Sequence, residues 1–315
     1  MSLNTQEILK QFGAYYLEEG QNMERLRSAI RQPSVTASYA RSLITESDMY
    51  RSANSILGEV IQQFQKKFTE KGQLDFLPNE IPLRNMKVDM AMYPDDLKAS
   101  WLGFLTSLTE QERANWPIVR YALEHEIAPQ IQQDLEMKAY WSGKYKAPIL
   151  GTPGSADEVM DGIKTLIDAG LANNTMNAIA LPDTLRKDNV FDMVEEFTDS
   201  IDQVLDPVPM NIYMSYSWLR AYYRDKRNTH GTDINYVAGT PTVDFAPNRT
   251  LVGLPSMKDS DYLWATPVDN YVHLRKVNGM TEPRLEESKR EVFFLSDWWE
   301  GLGFLYNPLV YAYKP

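Results

Sequence analysis

The feature that most constrains this chain is a change of hydrophobic period partway along it. Before residue 147 the longest patterned stretch steps by three and four, through Trp116, Val119, Leu123, Ile127, Ile131 and Leu135. That spacing predicts an amphipathic helix over about residues 112–141. Thr109-Glu-Gln-Glu112 ahead of it has the form of a capping box. Pro129 inside the stripe predicts a bend, because proline removes one backbone donor and crowds the preceding turn. Late in the chain the period falls to two. Met210–Met214, Thr250–Leu254, Tyr262–Thr266, Tyr271–Lys276 and Glu291–Leu295 read as strands. Between the two regimes lies Ala147-Pro-Ile-Leu-Gly-Thr-Pro-Gly-Ser155, a turn-rich run that makes the best internal boundary. Ser155 and Glu158 form a second capping box, opening a helix that closes at Gly170. Asp188–Val204 reads as another helix, and Ser215 is placed to cap a third that runs to Arg227. The class is α+β, helix-rich first and strand-rich later.

The region before residue 96 is less regular. Ile8, Leu9, Phe12, Tyr15, Tyr16 and Met23 fit a first helix, and residues 28–55 are polar and read as an arm that takes its order from neighbours. Ile56, Val60, Phe64 and Phe68 fit a helical stripe, but residues 60–68 also alternate as a strand would, and periodicity leaves both readings open. Residues 65–80 make a polar tip bearing Lys66, Lys67, Glu70, Lys71 and Asp75, with Phe68, Phe76 and Leu77 as apolar anchors. Met86, Val88, Met90 and Met92 then alternate as a return strand. Two extended arms around such a tip form a hairpin that gains little within its own chain. Phe68, Lys71, Phe76 and Leu77 are therefore expected at a contact between subunits.

Composition excludes several chemistries. With no cysteine among 315 residues, disulfides, thiolate metal sites and cysteine nucleophiles are ruled out. A net charge of −11 opposes sequence-reading of nucleic acid. No apolar run is long enough to span a membrane, and the N-terminus lacks the basic and apolar regions of a signal peptide. The expectation is a soluble chain made in the cytoplasm. The motifs that could carry catalysis fall short. His125-Glu126 lacks the second histidine of a zinc helix, and Gly151-Thr-Pro-Gly154-Ser lacks the Gly-Lys-Ser/Thr ending of a phosphate loop. Ser215 lacks the flanking glycines of a nucleophile elbow. Asp297-Trp298-Trp299-Glu300 offers two carboxylates beside two indoles, a set suited to glycoside hydrolysis. It sits in an apolar strand pattern, where Trp298 and Trp299 are expected to pack or to anchor an interface. No cofactor, metal or catalytic residue is expected.

The order of these elements resembles the major capsid proteins of tailed bacteriophages, with the Hong Kong 97-type fold. Phe64-Gln-Lys-Lys-Phe-Thr-Glu-Lys-Gly72 and Met86-Lys-Val-Asp89 are similar to the extended loop of that family and its return strand. Leu97–Leu105 and Trp116-Pro-Ile-Val-Arg120 lead into what looks like its spine helix. Leu251-Val-Gly-Leu-Pro255 and Trp264-Ala-Thr-Pro-Val-Asp-Asn270 resemble axial-domain strands, and residues 290–308 its final strand pair. The flavour is closest to phages of Bacteroidetes-type hosts. The resemblance implies an N-terminal arm (1–55), an extended loop hairpin (56–95), a peripheral domain with the spine helix (96–150), an axial domain (151–287) and a return to the peripheral domain (288–315). It further implies a homo-oligomer of hexamers and pentamers in an icosahedral shell, located in the virion and assembled in the host cytoplasm. A separate scaffolding protein, a portal, and packaged double-stranded DNA bound without sequence preference complete the expected partners. The alternatives are another virion or prophage structural protein, or a carbohydrate-active hydrolase using Asp297 and Glu300.

Overall fold

The computed structural model describes residues 35–72, 74–106, 109, 117–231, 239–277, 284–288 and 291–315. The helix expected over residues 8–23, most of the Thr109–Glu112 box, and Trp116 lie outside them. The described chain begins with a short helix, α1 (Val35–Ser38), and three strands, β1 (Arg41–Thr45), β2 (Met49–Leu57) and β3 (Leu74–Pro82). Strand β4 (Arg84–Met92) and helix α2 (Pro94–Thr106) follow. Helix α3, residues 118–139, alternates α-helical stretches (Ile118–Tyr121, Ala128–Asp134) with π-helical ones (Ala122–Ile127, Leu135–Ala139). Next come α4 (Ile163–Ala172), β5 (Asn177–Ala178), α5 (Val190–Asp199), β6 (Met210–Ser215) and α6 (Tyr216–His230). The remainder is strand: β7 (Thr242–Val243), β8 (Ala246–Leu254), β9 (Leu263–Pro267), β10 (Tyr271–Lys276), β11 (Arg284–Ser288), β12 (Glu291–Phe304) and β13 (Tyr311–Tyr313).

Two sheets and one hairpin organise these strands. The first sheet runs β1-β10-β12-β11, with β4 pairing along β12 from Met92↔Val292 to Arg84↔Glu300. The second runs β5-β13-β9-β6-β8-β7. Its centre, β6, pairs parallel with β8 and antiparallel with β9, and α6 lies in the connection that such a parallel pair requires. Ser215 caps α6 as expected, its hydroxyl accepting from the Trp218 N–H at 3.4 Å.

Four differences from the sequence reading stand out. Met86–Met92 is a strand, but its partner is β12; the hairpin is β2 against β3, from Met49↔Pro82 to Leu57↔Leu74. Residues 58–72 are irregular, so neither the helix nor the strand expected over 60–68 forms, and Phe76 and Leu77 belong to β3 rather than to the tip. Prolines at 78 and 82 disguise β3, yet a two-stranded ribbon leaves each strand a free edge where a missing N–H costs nothing. The stretch read as an arm does take its order from a neighbour, but the neighbour is in the same chain: β1 pairs parallel with β10. Finally, the Ser155–Glu158 box is present but closes only a 3₁₀ turn, and α4 runs on through Gly170 to Ala172, with Met176 packed where a side chain at 170 would stand.

The apolar stripe of α3 is buried as its spacing requires. Leu123, Ile127 and Ile131, with Ile118, Ala122 and Ala128, pack on Met92, Val292 and Phe294 of the first sheet. Pro129 does not end the helix. It falls in the first turn of an α-helical stretch, where its missing donor is tolerated, directly after six π-helical residues. A second cluster joins the two sheets: Ala139, Tyr140 and Trp141 at the end of α3 meet Ile163 and Ile167 of α4, Tyr213 and Trp264 of the second sheet, and Tyr271, Leu302 and Phe304 of the first. Residues from both sides of the exposed run 147–155 share this cluster.

Candidate functional site

Two constellations stand out, one buried and one exposed. The buried one centres on Glu300, 5% exposed. One carboxylate oxygen lies 2.5 Å from the Tyr140 hydroxyl and 2.6 Å from Nε2 of His273; the other accepts from the Trp298 indole N–H at 2.9 Å. Burial alone pushes this carboxyl up. The hydrogen bonds from His273, Tyr140 and Trp298 outweigh that and hold it at about 2, so the group stays ionised. Tyr140 is driven the other way, well above its ordinary value, by burial and by the adjacent carboxylate.

Glu300 therefore joins α3 to β10 and β12 and has no open side for a substrate. Asp297 stands three residues earlier on the same strand, paired across to Lys87. Residues at odd spacing project from opposite faces of a strand, so the two carboxylates do not flank a common space. Trp298 packs on the clusters beneath the two sheets, and Trp299 lies on the opposite face beside Val272 and Leu274, with the Lys276 ammonium 4.5 Å above its ring. Both indoles are half-buried within their own chain. Among the described residues no cluster of three or more histidines and carboxylates is placed to hold a metal. No helix among them is long and apolar enough to cross a membrane.

A second buried polar knot was not legible in advance. Glu136 of α3 accepts from the Thr36 N–H at 3.1 Å and from its hydroxyl at 2.5 Å, and that hydroxyl lies 2.6 Å from Ser256 Oγ. It fastens α1 to the end of α3 and to the loop after β8. Only the odd placement of a glutamate beside the apolar stripe hints at it.

The exposed constellation is the hairpin and its tip. Each arm has nine residues, about 30 Å of extended chain. The tip is closed on itself: the Gln62 side-chain amide donates to the Thr69 carbonyl at 2.7 Å, and Lys71 donates to the Ile61 carbonyl and pairs with Glu59 at 2.9 Å. Gly72 makes the final turn at φ +94°, with Val60 against its Cα. Lys71 is thus spent inside its own loop. Phe64 and Phe68 are not: they are 93% and 89% exposed. Of the residues expected at an interface, Phe68 is presented outward, Lys71 is tied down, and Trp298 and Trp299 pack within the chain. Phe76 and Leu77 sit in β3 opposite Ser55 and Asn54. Phe64 is an addition; the ambiguous pattern over 60–68 concealed that the segment is irregular.

At the other end of the hairpin a pocket of about 180 Å³ opens between the base of β3, helix α4 and the end of β12. A larger groove of about 520 Å³ runs between the end of α5 and the β7–β8 turn, where Phe245 stands fully exposed at φ +60°.

No protein-family model matches the sequence, and no curated protein matches it. Solved structures do. A chain of the satellite phage P4 procapsid that includes the size determination (Sid) protein aligns over 92% of this chain and 98% of its own, at 11% identity and a TM-score of 0.56. A chain from the capsid of a native GTA particle aligns over 90% and 96%, at 11% identity and 0.54. A chain from the capsid of Myoviridae phage XM1 aligns over 89% and 91%, at 11% identity and 0.52. The chain thus has the Hong Kong 97-type capsid fold, α+β as expected. The likeness extends across phage capsids broadly and singles out no host.

Proposed function

We propose that this chain is the major capsid protein of a tailed double-stranded DNA phage, a structural subunit rather than an enzyme, which self-assembles as hexamers and pentamers into an icosahedral head. The observation that carries the reading is the hairpin. A fold by itself does not assign a role. Beyond its base, where Ile81 packs with Val272 and Leu274, a ribbon about 30 Å long that ends in two fully presented phenylalanines gains little within one chain, but it has a use in a closed assembly where every copy makes the same contact. The net charge of −11 fits a lining that must not grip packaged DNA. A separate scaffolding protein, a portal, assembly in the host cytoplasm and a Bacteroidetes-type host belong to the same proposal. The division into arm, hairpin, peripheral and axial domains, with a terminal return, belongs to it too.

Negative-stain microscopy of the purified protein tests it. Shells or capsomer rings are expected, and a uniform population of small monomers at high protein concentration would overturn the reading.

A further inference from the structure

The groove beside Phe245 takes no part in the contacts described above. We propose that this groove, between the end of α5 and the β7–β8 turn, binds a neutral oligosaccharide. Phe245 is the stacking platform, and Asp199, Gln203, Asp206 and Asn248 are the partners for sugar hydroxyls. The inference goes beyond the capsid reading and does not depend on it.

Two features of the groove cost the chain on its own. Phe245 holds φ +60°, a backbone region that bulky side chains avoid, and keeps its ring fully exposed at the groove's edge. Asp199 is the last residue of α5, where a carboxylate meets the negative end of the helix dipole, and no basic residue stands in that turn to offset it. Neither feature helps the chain fold. Local rules broken side by side mark a functional site, where the strain is retained for what binds there.

The floor is held in place. Buried Arg249 donates to the carbonyls of Val208 and Leu205 at 2.8 and 3.0 Å. The Asn248 side-chain amide donates to the Asp206 carbonyl at 2.9 Å, and the Asp202 carboxylate accepts from the Val204 N–H at 3.0 Å. These bonds fix the 3₁₀ turn Gln203–Leu205, and with it Gln203 and Asp206. Groups set in advance lose little freedom when a ligand arrives.

The chemistry of the walls selects the ligand. At about 520 Å³ the groove falls within the range of small-molecule sites. Its polar groups are carboxylates and amides, which between them accept from and donate to hydroxyls. A pyranose has a rim of hydroxyls and a face of C–H groups, and that face is what an exposed aromatic ring can cover. Arg249, the cation among the lining residues, is buried against backbone carbonyls, whereas Asp199 and Asp206 are exposed. Phosphates, sialic acids and uronic acids are therefore repelled, and a neutral sugar is not.

Saturation-transfer NMR of the purified protein tests the site, with maltotriose, cellotriose, chitotriose and mannotriose as neutral probes and sialyllactose as the acidic one. At least one neutral probe should bind with a Kd of about 1 mM or tighter, and sialyllactose should not bind. Phe245→Gly should weaken that binding about tenfold or more while the thermal midpoint rises, and Phe245→Trp should keep it. Asp199→Ala should weaken it too, with no fall in the midpoint. No transfer to any neutral probe, sialyllactose binding as well as the neutral probes, or undiminished binding by Phe245→Gly or Asp199→Ala would each overturn the sugar site. All of these outcomes leave the capsid reading to its own test by microscopy.

Discussion

Aromatic side chains meet opposite fates at two places in this molecule. Tyr213 and Trp264 face each other across β6 and β9, stacked with ring centroids 3.9 Å apart and planes 18° from parallel. Tyr271 and Phe304 close edgewise on the indole. Phe64 and Phe68 of the hairpin tip touch almost nothing but water. The first group lowers the free energy of one chain through burial and ring packing. The second adds nothing to that chain, and its apolar area becomes favourable only when another surface covers it. On the proposed reading, folding and assembly fall to separate residues and should be separable by mutation.

The largest effect should come from Trp264→Ala. Removing a fully buried indole at the junction of both sheets should cost about 3–5 kcal/mol, read as a large drop in thermal midpoint with loss of soluble subunit. If that variant unfolds like the parent, the junction is not the stabilising centre.

Glu300→Ala should follow, at about 3–5 kcal/mol, because it leaves His273 and Tyr140 buried beside a void. Its pH dependence has a definite sign. The folded carboxyl is held at about 2, against an ordinary 4.5, so its contribution is complete above about pH 4.5 and is lost as pH falls from there towards 2. Urea midpoints measured across that window should decline steeply in the parent and less steeply in Glu300→Gln. Parallel profiles would show that Glu300 does not carry the acid sensitivity.

A smaller change is expected at the β7–β8 turn. Phe245 holds a left-handed backbone that a bulky residue rarely adopts, and its side chain is fully exposed. Phe245→Gly should stabilise the subunit by about 1 kcal/mol. An unchanged or lower midpoint would mean that the ring packs better than its exposure implies.

The smallest effect on folding should be that of Phe64→Ser with Phe68→Ser: within about 0.5 kcal/mol of the parent, yet with assembly lost in sedimentation. A folded, fully assembling double variant would sharpen the contrast in the other direction, moving the assembly contact away from the tip.

Much of the core was legible. The three- and four-residue steps through Leu123, Ile127 and Ile131 located α3 and its buried face, and alternation located β6, β9, β10 and the start of β12, because burial on one side imposes a period that any reader can count. The hairpin arms were not. Met49–Leu57 is polar through its middle, Arg51 to Ser55, and Leu74–Pro82 contains two prolines; only the base of the hairpin, at Tyr50 and Ile81, packs against β10, so most of each arm needs no apolar alternation. At the candidate site, the prominence of Phe68 was readable, whereas Lys71 looked free until its bond to the Ile61 carbonyl placed it inside the loop. Asp297 and Glu300 looked like a pair until strand geometry separated them.

Local chemistry, then, determined what each segment could be: a capped helix after Ser215, an apolar helix face before Leu135, an acidic and cysteine-free chain with polar turns. Partner choice was settled only in three dimensions. Met86–Met92 could have paired with either neighbour in the chain, and it joined Glu291–Phe304 some two hundred residues away, where the far strand offered a matching row of backbone groups and an apolar face shared with α3. Backbone hydrogen bonds are alike at every residue, so pairing between strands is decided by the packing that surrounds them, and that packing exists only once the chain has folded.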